Sequence, residues 1–135
     1  MKKLGIILLL TALLVPIFSI EAKKKNEGKA RPVVVENTYN FGNIRENKGA
    51  VSHEFVISNA GTGNLVIYDV TAQCGCTRPE YPKQPIAPGK SAKVKVTYNP
   101  LGRPGSFSKN VTVKTNGDPR KVVLKIKGSV IPKDK

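Results

Sequence analysis

The residues best suited to chemistry are Cys74 and Cys76, the two cysteines of the chain, separated by Gly75 within Ala72-Gln73-Cys74-Gly75-Cys76-Thr77-Arg78-Pro79-Glu80-Tyr81-Pro82. If they end an extended strand, the period of two puts both sulfurs on one face, and Gly75 lets the backbone bend between them. A bridge between them would close a very small ring and remove little chain entropy, so it should add little to stability. Closing it also demands a local bend, and such a bond is easily reduced. Three uses stay open. The sulfurs are small apolar groups at the edge of a core, a redox-labile dithiol exchanging with a thioredoxin-like partner, or a pair of soft ligands for Cu(I). Zinc fits less well, because structural zinc takes four ligands and His53 alone remains to add to the two thiols.

Other chemistry finds no footing. No glycine-rich phosphate loop, no serine with a paired histidine and carboxylate, and no spaced acidic pair within a strand can be read. His53 falls on the apolar face of its segment with no second histidine and no acidic residue on that face, and reads as a rim histidine. The expectation is a protein that is not an enzyme and carries no resident cofactor or metal.

The elements that must position the cysteines are short and β-type. In Val51-Ser52-His53-Glu54-Phe55-Val56-Ile57-Ser58, Val51, Phe55 and Ile57 share one face while Ser52, Glu54 and Ser58 share the other. Ser91 to Tyr98 alternates in the same way, with Ala92, Val94, Val96 and Tyr98 inward. Phe107 to Lys114 and Val122 to Val130 repeat the pattern around Asn116-Gly117-Asp118-Pro119, a hairpin connection. Leu65 to Ala72 is a further strand that the cysteine pair ends. Val33-Val34-Val35 is a β-branched run, and Tyr39-Asn40-Phe41-Gly42 a short apolar pair before a turn-forming glycine. After the cysteines, Pro79, Pro82, Pro85 and Pro88 cannot supply a continuous ladder of backbone donors, so this stretch is expected to be a crossing or a surface loop. About seven strands without helical periodicity predict an all-β, immunoglobulin-like sandwich over residues 31–131. The usual immunoglobulin bridge between distant strands is excluded by the spacing of the cysteines, and the chain has no Trp.

The ends of the chain have a different character. Met1-Lys2-Lys3 followed by the apolar run Leu4 to Ile20 reads as an export signal, with Ala22 a candidate for the residue before cleavage. Left uncleaved, the run reaches the lower length limit for a membrane anchor. Residues 1–22 are therefore expected to be a signal helix, residues 23–30, with Lys23, Lys24, Lys25 and Lys29, a basic flexible linker, and residues 132–135 a tail. The net charge of +14 attracts polyanions. Export argues against nucleic acid and points to the cell envelope, either an envelope protein or an anionic surface. Lysines alternating with apolar residues also serve to keep strand faces soluble.

Three stretches together resemble the bacterial domain-of-unknown-function family 1573, whose architecture is related to the ASH, MSP and PapD-like sandwiches. They are Tyr39-Asn40-Phe41-Gly42-Asn43-Ile44 with Val51-Ser52-His53-Glu54-Phe55; Cys74 to Pro82 with Ile86-Ala87-Pro88-Gly89-Lys90; and Gly102-Arg103-Pro104-Gly105 with Val111-Thr112-Val113. The resemblance implies a seven-stranded sandwich in an exported protein, and it carries no catalytic residues over. From these readings the expected function is that of a non-catalytic binding or scaffold module in the periplasm or envelope. The alternatives are thiol redox or Cu(I) handling through Cys74 and Cys76, and, by architecture alone, a PapD-like periplasmic chaperone.

Overall fold

Alternation in the sequence becomes alternation in burial. In the strand Val51–Asn59, Phe55, Ile57 and Asn59 are buried while Ser52, Glu54 and Val56 are exposed. The computed structural model describes residues 28–134 and contains no helix among them. The expected signal 1–22, most of the linker 23–30 and the last residue of the tail lie outside the described residues.

Eight strands follow in order: β1 (Pro32–Val33), β2 (Thr38–Arg45), β3 (Val51–Asn59), β4 (Ile67–Ala72), β5 (Thr77–Glu80), β6 (Ser91–Tyr98), β7 (Gly105–Thr115) and β8 (Lys121–Ile131). They form two four-stranded sheets, β1-β3-β6-β5 and β2-β8-β7-β4. The inner faces meet in one core, in which Phe55 and Ile57 of β3 and Val94, Val96 and Tyr98 of β6 face Val111, Val113, Leu124 and Ile126 of β7 and β8. Removing such side chains from water is worth roughly 1.5–3 kcal/mol each before entropy is subtracted. The Tyr98 ring stacks on Phe107 at 4.0 Å between centroids, so the aromatics tie the two sheets together near one end.

The all-β sandwich is as expected, with one strand more than the seven read from the sequence. The added strand is β5, which runs through Pro79 in a stretch expected to be a crossing or a surface loop. The register explains why this is permitted. Asn99 donates its backbone N–H to Cys76 O, and Arg78 and Glu80 lie opposite Thr97 and Lys95. Alternation along the ladder then turns the backbone of Pro79 away from β6, where a missing N–H costs nothing. β2, expected as a short apolar pair before a turn at Gly42, instead pairs in parallel with β8 and continues past Gly42 through an irregularity between Asn40 and Asn43. Gly42 has a φ of 69°, a conformation that glycine takes without penalty.

The chain also begins its packing earlier than residue 31. Ala30 is 4% exposed, and Lys29 O accepts N–H bonds from Thr62 and Gly63 at 2.9 and 3.3 Å. The last residues of the expected linker are therefore part of the sandwich, clipped onto the turn after β3. A Cβ at Gly61 would collide with the backbone of Lys29 and Arg31, so this clip depends on glycine there.

Candidate functional site

Cys74 and Cys76 lie in the turn between β4 and β5, beyond the end of the strand, and their sulfurs are bonded to each other with the Cα atoms 5.3 Å apart. That separation lies inside the usual disulfide range. The bend of the turn brings the sulfurs together, so the strand periodicity read from the sequence is not what places them. The turn is also anchored without them. Gln73 N donates to Asn110 O at 3.0 Å, Thr77 N to Cys74 O at 3.2 Å, and Asn99 N to Cys76 O at 2.9 Å.

The two sulfurs have different surroundings. Cys76 is buried at 5% exposure whereas Cys74 is half-buried, and Gly75 between them faces open space. Two hydrogen-bond donors reach them. The backbone N–H of Cys76 points at Cys74 Sγ from 3.3 Å, and the buried Thr77 hydroxyl lies 3.6 Å from Cys76 Sγ and 3.8 Å from Cys74 Sγ.

His53 sits at the opposite seam of the sandwich, where β2 crosses the edge of β3. Its ring stacks on Tyr39 at 3.6 Å with planes 7° apart and meets Phe55 edge-on at 4.8 Å. Burial lowers its pKa below the ordinary 6.5, while the charges of Glu36 and Glu54 pull it upward. The sequence reading of a rim histidine fits this placement, but Glu36, which the reading left out, approaches it from the crossover between β1 and β2. No group of three or more metal-ligating side chains occurs among the described residues.

The same seam holds a feature the sequence reading missed. β1 covers β3 only at Ser58 and Asn59, after which the chain crosses to the other sheet. Asn59 N donates to Lys90 O on the β6 side and Ala60 N to Arg31 O on the β1 side. By alternation, the backbone N–H and C=O groups of Ser52, Glu54 and Val56 point away from β6, and no strand lies beside them among the described residues. A cleft of about 260 Å³ runs along this edge, lined by Val35, Glu36, His53, Phe55 and Val56 among others. Val35 is 91% exposed and Val56 half-exposed. Glu36-Asn37, directly after the valine run, lies in the crossing to β2, but the strand already leaves the sheet after Val33, inside that run, where nothing in the sequence marks the break.

The buried Asn59 ends β3 and organises the turn after it. Its side-chain amide donates to Gly63 O at 2.7 Å and Ile86 O at 2.9 Å, and its Oδ1 accepts from Arg31 N at 3.2 Å and Gly61 N at 3.0 Å.

Comparison with solved structures supports the fold. A protein of unknown function from Porphyromonas gingivalis W83 matches with a TM-score of 0.62 at 16% identity, over 76% of this chain and 46% of that one. The VesB protease of Vibrio cholerae matches with a TM-score of 0.60 at 15% identity, over 75% of this chain and 32% of that one. The ASH / PapD-like domain 7 of human CEP192 matches with a TM-score of 0.59 at 13% identity, over 82% of this chain and 89% of that one. The chain thus spans less than half the length of the first two, and at these identities the likeness is one of fold alone. Comparison with curated proteins finds no match. The model of the family described as "Protein of unknown function (DUF1573)" matches residues 33–130, the two sheets almost from end to end, and the chain belongs to that family.

Proposed function

We propose that the protein is an exported, non-catalytic binding module of the cell envelope that takes an extended segment of a partner protein onto the open edge of β3. The observation that carries this reading is the row of outward backbone donors and acceptors at Ser52, Glu54 and Val56. Main-chain bonding of an added strand supplies affinity, and pockets for its alternate side chains supply selectivity. Here the cleft offers apolar surface from Val35 and Val56 beside the carboxylates of Glu36 and Glu54. Glu36 stands out in a chain of net charge +14, whereas Glu54 is already paired with Lys93 at 3.2 Å. The segment that fits pairs an apolar side chain with a basic one. Self-pairing of two β3 edges centred on Glu54 would set two carboxylates opposite each other, which disfavours a second copy as the occupant.

The test places a photo-crosslinking residue at position 56 of the full chain in living cells, with position 123 on the other sheet as control. The expected result is a discrete adduct with an envelope protein from position 56 alone, lost when Glu54→Pro removes a free edge N–H. Equal labelling from both positions, or an adduct unaffected by the proline, would overturn the reading.

A further inference from the structure

We propose that the Cys74–Cys76 pair is a thiol–disulfide exchange site with a fixed direction of attack, in which Cys74 receives the incoming thiolate and Cys76 leaves. The site lies at the β4–β5 turn, away from the β3 edge, so the two proposals stand or fall separately.

The bond has no structural task. Backbone bonds from Gln73, Thr77 and Asn99 hold the turn, and a bridge across one residue constrains almost none of the unfolded chain. Access differs between the two sulfurs. Cys74 is half-buried beside Gly75, which faces open space, whereas Cys76 is buried, so a thiolate meets Cys74 first. Each sulfur also has a donor suited to the charge it develops. The Thr77 hydroxyl is in place for Cys76 and the Cys76 N–H for Cys74.

The partner is a protein carrying a dithiol. One partner thiolate attacks Cys74 Sγ and forms a mixed disulfide, while the Cys74–Cys76 bond breaks and its electron pair goes to Cys76 Sγ. That sulfur accepts a hydrogen bond from the Thr77 hydroxyl and then a proton from water. The second partner thiolate attacks the partner sulfur of the mixed disulfide, releasing Cys74 as a thiolate that the Cys76 N–H stabilises until it too is protonated. Two electrons and two protons pass to this chain, and the partner leaves with a disulfide.

The oxidised full chain is titrated with reduced glutathione, quenched by alkylation and weighed intact, in parallel with single variants treated with an aromatic disulfide. The expected outcome is that glutathione opens the bridge while the thermal transition stays in place. Cys74 in Cys76→Ala should react about tenfold faster than Cys76 in Cys74→Ala. Thr77→Val should slow opening of the wild-type bridge several-fold without moving the thermal transition. A bridge that survives glutathione in large excess, or equal rates for the two single cysteines, would each overturn the proposal. Should Thr77→Val shift the melting transition, Thr77→Ser, which keeps the hydroxyl, restores the comparison, and a Ser variant that opens as slowly as Val counts against the donor.

Discussion

Burial of the His53 imidazole between Tyr39 and Phe55 favours its neutral form, and the carboxylates of Glu36 and Glu54 only partly offset this. Unfolded chains take up the proton near 6.5, while the folded protein holds it off to lower pH. The neutral ring's share of stability is therefore complete above 6.5 and is lost as the pH falls from there to the folded value. A proton NMR titration should give a midpoint below 6.5, moving lower still in Glu36→Gln; a midpoint above 6.5 would contradict this account. Asn59 carries a larger load. Its four hydrogen bonds join β3 to Arg31, Gly61, Gly63 and Ile86, and truncation takes the amide donor from the buried Gly63 O and the acceptor from the part-buried N–H groups of Arg31 and Gly61, while Ile86 O keeps Leu65 N. Asn59→Ala should cost roughly 3 kcal/mol in urea denaturation, whereas the exposed Asn37→Ala should cost well under 1 kcal/mol. Nothing in a single asparagine within Ser58-Asn59-Ala60-Gly61 announces such a role, because Arg31 and Ile86 are distant in sequence and only the folded turn brings them to the local partners Gly61 and Gly63.

Along β3, neighbouring residues differ in which way the backbone faces, and proline substitutions expose the difference. Phe55 bonds toward β6 opposite Val94, so Phe55→Pro breaks the ladder and empties a core position, costing more than about 4 kcal/mol. Glu54→Pro removes only an outward N–H and should cost about 1–2 kcal/mol. Guanidinium unfolding of the two variants would measure the contrast, and equal losses would contradict the assigned register. The strands that the sequence made legible are those with one buried face and one wet one, β3, β6 and the β7–β8 hairpin, where period two survives intact. β2 was obscure because nearly all its residues are exposed and only Phe41 and Ile44 turn inward. β5 was hidden because Pro79 argues against a strand until the register shows which side it faces. The cysteines were visible as a pair from the start, but their unequal exposure depends on a turn whose bend no periodicity encodes.

The two broad faces of the molecule carry different charge patterns. Outward on the β1-β3-β6-β5 sheet, Glu54 and Glu80 stand opposite Lys95, and Glu54 pairs with Lys93 at 3.2 Å. Such an exposed pair adds little stability, but it neutralises the surface locally. The other sheet shows Lys114, Lys121, Lys125 and Lys127, with Asp69 beside Lys114. Basic residues near an anionic surface contribute about 1 kcal/mol each at low salt. Reversing Lys125 and Lys127 to Glu should therefore weaken sedimentation with phosphatidylglycerol vesicles at least about tenfold, whereas reversing Lys93 and Lys95 should do far less; equal effects would remove the distinction between faces. The clip of Lys29 onto the turn after β3 has a further consequence. Any polypeptide upstream joins at the pole of the sandwich occupied by that turn and the β7–β8 hairpin, while the Cys74–Cys76 loop occupies the other pole. β6, which starts opposite Ser58 beside that turn and ends next to Asn99, whose N–H reaches Cys76 O, spans ~25 Å between them at strand rise. A body moored by its leading end would thus hold its sulfurs outward at arm's length, toward whatever approaches from the aqueous side.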